Sequence, residues 1–327
     1  MFAVKGFTTS TRKPMLYLSR KDVETVGLPM SDIIECLDAM FKEKGEGKVE
    51  MPPKPGIHTR PDAFIHAMPA YIPSLGSAGM KWVSGYPENQ AKGLPYISGL
   101  LVLNDPDTGI PTAVMDCTWI TAMRTGAATA VAARYLARPE SASVGILACG
   151  VQGHSNLEAL RCLYGIKEVR AYDVRPEVAE KFASETGARV AATPKEAVEG
   201  MDLVVTSGPI LKEPTPTIEA GWLAPGAFAS PVDFDSYWTP EALQEADKVA
   251  TDDHGQMEYY RTEGYFKGTP RPYADLGEIA AGKKPGRESN SERTISVNLG
   301  LALDDMAVAI KIFEKASASG IGTTLPL

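Results

Sequence analysis

The stretch Ser143–His154, SVGILACGVQGH, decides the fold. Val144 to Cys149 is an apolar run of strand length, and it breaks through Gly150 and Gly153 into QGHSNLEALRCLYG, whose apolar residues recur at helical spacing. A strand that turns through glycines into a helix reads as the opening of a dinucleotide-binding βαβ unit. Of the three places in G-x-G-x-x-G, Gly150 holds the second, where the backbone approaches a pyrophosphate. Gly153 holds the third, where helix and strand pack closely, and Ala148 stands at the first. A methyl group there is compatible with the turn provided φ stays negative. Gly150, Val151, Gln152 and Gly153 would then open a helix whose free N–H groups and positive dipole end suit an anion.

The next apolar run, EVRAYD, ends in Asp173, where an acid would bond the ribose hydroxyls of NAD. Arg175 follows, and an arginine there would accept the 2′-phosphate of NADP, so NAD is the first reading and NADP the alternative. A strand–helix turn in some other doubly wound protein, with Asp173 a solvated strand-end acid, remains a competing reading.

Outward from this unit, the chain alternates strand and helix from about residue 125 to 295. PEVAEKFASETG, with Pro176 at a helix start, is followed by ARVAAT, PKEAVEG, DLVVTS, GAFAS and DKVATD. Short apolar strands separated by helices imply a parallel sheet covered on both faces. From about 14 to 115 the pattern differs. AGMKWVSG and ISGLLVLND read as strands of a mixed sheet, and SDIIECLDAMFKEKG puts Ile33, Ile34, Leu37, Met40 and Phe41 on one helical face. Near the end, Leu303, Met306, Ala307, Ile310 and Phe313 mark a long amphipathic helix expected to pack back on the first unit. The fold class is therefore α/β. A Rossmann-type doubly wound parallel sheet spans 125–302, and an α+β substrate-binding unit is formed discontinuously by 1–124 and 303–327.

A net charge of −8, with no basic stripe, argues against nucleic acid as a partner. The opening MFAVKGFTTSTRKP lacks an apolar core of signal-peptide length, and no apolar run is long enough for a membrane helix. Cys36, Cys117, Cys149 and Cys162 lack C-x-x-C spacing and mostly lie in apolar runs, which fits buried free thiols in a reducing cytoplasm. His58, His66, His154 and His254 show no metal-ligand spacing, and there is no G-x-S-x-G, P-loop or H-E-x-x-H, so no metal site is expected.

Three cations occupy apolar or small-residue settings. Lys81 lies in GMKWVSG and Arg124 in TAMRTGAATAVAARYLA, while Lys54, in MPPKPG, follows two prolines. Burying such charges is costly unless they meet an anion, and a guanidinium fork suits a carboxylate. The plain alternatives are a lysine reaching out to water, an internal salt bridge and a loop charge. In GAFASPVDFDSYW, Asp233 and Asp235 follow a short strand, at the sheet edge where α/β ligands bind, and either would shuttle a proton if burial tunes it. Loop capping is the competing role.

At these residues the chain resembles the ornithine cyclodeaminase/mu-crystallin family. The likeness is carried by MPPK, HAMPAY, GMKWVSGYPENQAKGLP, DCTWITAMRTGAATAVAARYLA, the GILACGVQ turn, AYDVRP and RTISVNLGLALDD. It implies an NAD(P)-dependent homodimer, with the substrate unit at the interface and the Rossmann unit facing the substrate across a cleft. It also implies a carboxylate clamp of Lys54, Lys81 and Arg124, with His66 and Met68 beside the substrate. A catalytic aspartate falls on Asp235, with Asp233 its rival because VDFD replaces the family's glycine-containing G-x-D. Thr206 and Ser207 match family residues near the cofactor, while Ser296 and Asn298 replace the usual Phe and Ser. Ornithine cyclodeaminases carry a glutamate where His66 stands, whereas MPPK and DVR are very like segments of archaeal-type alanine dehydrogenases. The leading expectation is hydride transfer at the α-carbon of a small amino or imino acid, by an amino-acid dehydrogenase or an imine reductase. The alternatives are an ornithine cyclodeaminase and a mu-crystallin-like protein that binds NAD(P)H or a small ligand without turnover.

Overall fold

The structure, a computed structural model, describes residues 14–327. The reading of the opening segment as free of a signal core concerns residues that lie outside it. The chain begins with β1 (Met15–Leu18), α1 (Arg20–Val26), α2 (Met30–Gly45), β2 (Gly56–Ile57), β3 (Phe64–Ile72), β4 (Ser77–Gly85), β5 (Ile97–Asn104), β6 (Pro111–Asp116) and α3 (Thr118–Leu136). It continues through β7 (Ser143–Leu147), α4 (Val151–Leu163), β8 (Glu168–Tyr172), α5 (Pro176–Thr186), β9 (Arg189–Val190), α6 (Pro194–Val198) and β10 (Leu203–Thr206). Next come β11 (Phe228–Pro231), α7 (Pro240–Gln244), β12 (Lys248–Thr251), α8 (His254–Thr262), β13 (Ala274–Asp275) and α9 (Leu276–Ala280). The last elements are β14 (Thr294–Val297), α10 (Ala302–Ser319) and β15 (Thr323–Leu325).

The strands form two sheets. The first runs β15-β1-β6-β5-β4-β3-β2, with β1 parallel to β6 and the other neighbours antiparallel. The second runs β13-β12-β14-β11-β10-β7-β8-β9 and is parallel throughout. Its order reverses between β7 and β10, and the crevice beyond the carboxyl ends of those strands is where open α/β sheets take ligands. The apolar runs of β7, β10, β11 and β14 are buried because helices cover both faces.

One face of the first sheet carries His66, Met68, Lys81, Val83, Leu101, Leu103, Ala113 and Met115, all buried. Helix α10 lies on this side, against β3 and β4, and also touches α2 and α3. The opposite face leaves Trp82 43% and Leu100 46% exposed, beside partly buried Met80, Val102 and Val114. Apolar residues on both faces of an antiparallel sheet mean that the second face also needs cover.

The division expected after residue 124 falls inside α3, a continuous helix that packs on both α2 and α4. Gly126 permits the crossing with α4, since a Cβ there would lie 2.3 Å from the Ser155 carbonyl oxygen. Cys36, Cys117 and Cys149 are fully or partly buried free thiols, whereas Cys162, expected to share that setting, is exposed.

The turn after β7 corrects one expectation. Ala148 has φ 70°, in the left-handed region, rather than a negative φ. The tight reversal demands that conformation whatever residue supplies it, and the surroundings hold it. Ala148 N–H donates to Tyr172 O at 2.9 Å, and Ser207 Oγ donates to Ala148 O at 2.8 Å. The third glycine serves the expected purpose, because a Cβ on Gly153 would meet Ala148 O at 2.8 Å. A left-handed alanine costs roughly 1–2 kcal/mol, and glycine returns about half of that through unfolded-chain entropy. Ala148→Gly should therefore raise the urea midpoint by the equivalent of about 0.5–1 kcal/mol. An unchanged or lower midpoint would show that the turn is not strained.

Candidate active site

At the switch point, Gly150 N-caps α4 without any side-chain cap, so the first N–H groups of that helix face the crevice unbonded by side chains. No atom lies within 4 Å of a Cβ built on Gly150, and Val151 is exposed beside it. Gln152 turns back into the helix, its Oε1 accepting from Ser155 Oγ at 3.2 Å. At the end of β8, Asp173 Oδ2 accepts Cys149 N–H at 2.9 Å and Oδ1 accepts Arg175 N–H at 3.0 Å. The carboxylate is thus fixed at the rim of the crevice. Half-exposed Arg175 Nε stands 3.7 Å from it. This open, uncapped, anion-seeking turn with an adjacent fixed acid fits a dinucleotide.

Thr206 is placed differently from its expected role beside a cofactor. It is fully buried and its hydroxyl is spent in the core, donating to Asp233 Oδ1 at 2.8 Å and accepting from Trp238 Nε1 at 3.1 Å. Ser207, one residue on, reaches the crest of the turn through Ala148 O. Asn298 is buried, accepting from Ser296 Oγ at 2.8 Å, with its amide 3.5 Å from Ser230 Oγ.

Across the interior the three cations converge. Lys81 from β4, 1% exposed, meets Asp305 Oδ2 at 2.5 Å. Arg124 from α3 places Nε 3.2 Å from Asp305 Oδ1 and Nη1 3.6 Å from Asp304 Oδ2. Lys54 donates to Leu299 O at 2.7 Å and to Gly300 O at 3.1 Å, and its ammonium lies 5.4 Å above the Tyr260 ring. The internal salt bridge is thus realised for Lys81 and Arg124, and both cations sit in one cluster with Lys54. Burial pulls Lys54 down to about 7, with Arg124 and Lys81 adding to the shift and Asp252 opposing it. Burial also lowers Lys81, against the pull of Asp305. It raises the carboxyl of Asp304 to about 7, opposed by Arg124, and that of Asp252 to about 6, opposed by backbone N–H groups and Lys54.

His66 on β3 borders the cluster, stacked on Phe64 at 4.2 Å between ring centroids. Burial, then Lys54, drives its pKa down to about 3, so the imidazole is neutral. Met68, two residues on, pairs in register with Lys81.

Asp233 and Asp235 do not contact the clamp cations. Between them Phe234 adopts φ 63°, which breaks the strand alternation and sends the two carboxyls to different partners. Asp233, fully buried, takes the Thr206 hydroxyl and Gly208 N–H at 2.9 Å and closes the turn after β10. Burial lifts it to about 7. Asp235 is half-buried and accepts from Thr269 Oγ1 at 2.8 Å; burial raises it as well. The Phe234 ring stands 5.1 Å from Tyr260, whose ring is 6.2 Å from His66, so a run of aromatic rings links the aspartate loop to the border of the cation cluster.

Sequence reading missed Asp252, Asp304, Asp305 and Tyr260. Two adjacent acids in the apolar run LGLALDDMAVA were the available signal, as telling as the lysine in GMKWVSG. One carboxylate–imidazole cluster arises where no metal site was expected, with ligand atoms of His254, Asp275 and Glu278 all within 4.8 Å. Its groups are already engaged. Asp275 and Glu278 form the capping box of α9, and Lys44 Nζ lies 2.8 Å from Asp275.

The profile of the ornithine cyclodeaminase/mu-crystallin family matches residues 13–320. An alanine dehydrogenase of Archaeoglobus fulgidus is 37% identical over 95% of this chain and 98% of its own length. Among solved structures, an archaeal alanine dehydrogenase dimer with bound NAD superposes with TM-score 0.86 at 35% identity, covering 96% of this chain and all of that one. A Δ1-pyrroline-2-carboxylate reductase of Thermococcus litoralis, in complex with NADH and L-proline, gives 0.85 at 34%, covering 94% and 99%.

The buried triad sets a stability test. Removing Asp305 leaves two desolvated cations without their shared anion, which costs about 3–5 kcal/mol. Asp305→Ala should show that loss in urea unfolding, and a deficit under about 1 kcal/mol would place the ion pairs outside the stability of the fold.

Proposed function

This chain belongs to the ornithine cyclodeaminase/mu-crystallin family, and from that premise we propose that it is an NAD-dependent oxidoreductase acting at the α-carbon of a small amino or imino acid. The observation that carries this reading is the pairing of an open dinucleotide turn at Gly150–Gly153 with a buried cluster of Lys54, Lys81 and Arg124. A nicotinamide nucleotide bound at the turn supplies the hydride acceptor or donor. Gly150, Val151 and Gly153 would hold its pyrophosphate, and Asp173 its ribose. The fixed negative charge of Asp173 favours NAD over a 2′-phosphorylated form.

The chain's own residues perform the rest. Arg124 presents a planar fork and Lys81 a point charge to the substrate carboxylate, fixing the α-carbon in one orientation. Exclusion of water from the buried cluster strengthens both contacts. Asp235 is the proton carrier at the substrate nitrogen or a water. It is half-buried, its pKa is raised, and it stands at the carboxyl end of β11. Asp233 is the poorer candidate, because Thr206 and Gly208 already use its two oxygens. His66, neutral and stacked on Phe64, offers no anion to a distal amine, which sets the site apart from one built for ornithine.

The open face of the first sheet, with Tyr17, Trp82 and Leu100 exposed, is the surface through which we place a homodimer. Leu100→Asp should convert the dimer to a monomer in sedimentation, and a monomeric wild-type protein would dismiss this interface.

The function is tested at the reduced-nicotinamide absorbance band. One panel supplies NAD⁺ with amino acids, and the reverse panel supplies NADH with pyruvate plus ammonia or methylamine, and with cyclic imines. Net cofactor turnover is expected. Ammonia and proline from ornithine without net turnover would make it a cyclodeaminase instead, and tight cofactor binding with no reaction a binding protein. Asp235→Asn should lower kcat about 100-fold or more while leaving the cofactor Kd unchanged. Undiminished turnover would transfer the proton role to Asp233.

A further inference from the structure

The buried cluster holds three basic side chains, Lys54, Lys81 and Arg124, and three carboxyl groups, Asp252, Asp304 and Asp305, and burial brings both Lys54 and Asp304 to about 7. All six are shielded from water, so any charge brought in needs a compensating charge. A carboxylate ligand seated on Lys81 and Arg124 adds one more negative charge to this closed set. We propose that such a ligand enters together with one proton, and that Asp304 takes the proton. This inference rests on the carboxylate-clamp reading above.

Hydrogen-bond geometry selects Asp304 among the three acids. Asp305 is engaged on both oxygens, with Lys81 Nζ 2.5 Å from Oδ2 and Arg124 Nε donating to Oδ1 at 3.2 Å. Asp252 Oδ2 receives Gly300 N–H at 2.7 Å, and Leu299 N–H and Lys54 also favour its charged form. Asp304 has less. Its Oδ2 accepts Leu301 N–H at 3.0 Å, and Arg124 stands at 3.6 Å, beyond hydrogen-bond reach. Its Oδ1, wholly buried, has neither a hydrogen-bond nor an ion-pair partner, whereas Asp305 Oδ2, also without a hydrogen bond, lies 2.5 Å from Lys81 Nζ. A carboxyl oxygen in that position is the natural seat of a proton.

The groups around Asp304 bear this out from each packed element. Arg124 approaches from α3 and favours the ionised carboxylate, while Asp252 from the end of β12 and Asp305 beside it on α10 disfavour it. His66 on β3 is neutral. The thiols of Cys36 on α2 and of Cys117 ahead of α3 are raised by burial and carry no charge. Arg124 is the cation that acts on Asp304, and a ligand carboxylate that engages the guanidinium fork competes for it. The proton balance is simple: bulk water gives up one proton, the Asp304 carboxylate becomes a carboxylic acid, and the ligand remains ionised. Burial, the largest influence on Asp304, already holds its carboxyl near 7 in the unliganded protein.

The test is titration calorimetry of the full-length protein saturated with NAD⁺. Pyruvate and pyrrole-2-carboxylate serve as redox-inert probes, in phosphate and in Tris, whose ionisation enthalpies differ. The buffer dependence of the observed heat counts protons. At pH 8 the wild type should take up close to one proton per bound probe, falling toward none at pH 6. Its affinity should weaken about tenfold per pH unit above the Asp304 pKa. Asp304→Asn keeps an acceptor for Leu301 N–H and should bind without proton uptake and with a flat pH profile. Binding without uptake in the wild type overturns the proposal, as does full uptake retained in Asp304→Asn, which would move the proton to Lys54. Should the variant fail to fold, the wild-type contrast between pH 8 and pH 6 decides alone. If neither probe binds at any pH, the clamp reading itself falls, a result distinct from binding without a proton.

Discussion

Everything central to this protein is arranged around one carboxylate that two buried cations share. Asp305 sits near the start of α10, Lys81 in the middle of β4 and Arg124 within α3. These elements belong to different layers, so the ion pairs fix their mutual position as well as their own charges. Isolated, each charge would be prohibitively costly to bury; together they need one another. The same three groups orient the cations that the proposed reaction uses. Fold and binding chemistry thus draw on a single interaction, and neither can be altered alone.

The second organising feature is the run of aromatic rings that links that cluster to the acids after β11. Phe234 takes a left-handed backbone and packs against Tyr260, Tyr265 and Phe266. Its conformation divides the labour of two nearby aspartates: Asp233 is tied into the turn after β10, and Asp235 stays half-buried beside Thr269.

Much of this was legible in the residues. The apolar runs VGILAC, DLVVTS and DKVATD become parallel strands because nothing but burial on both faces explains them. The misplaced cations were visible because Lys81 and Arg124 interrupt patterns that ought to be apolar. Their partners Asp304 and Asp305 interrupt an apolar run in the same way, yet were passed over because acids at a helix start are ordinary. Ala148 was misjudged because a sequence carries no φ, and a glycine-like conformation was forced on it from outside. Thr206 was placed near the cofactor by the family resemblance, yet at the end of β10 its hydroxyl is engaged by Asp233 and Trp238. The run of aromatic rings was beyond reach, because its members come from separated segments that only tertiary packing joins.

The antiparallel pairing of β1 with β15 sets the order in which the polypeptide can take shape during synthesis. The first sheet is seeded by the earliest strands, but its last strand and covering helix α10 leave the ribosome only after the whole parallel sheet has been made. The parallel sheet has all of its strands in the interval between, so it is free to form while the first sheet still waits for its edge. The long sequence separation across β1 and β15 makes their closure a slow, late event. The Lys81–Asp305–Arg124 triad, which needs α10, is assembled at that same moment, so the cation cluster becomes complete only as the fold does.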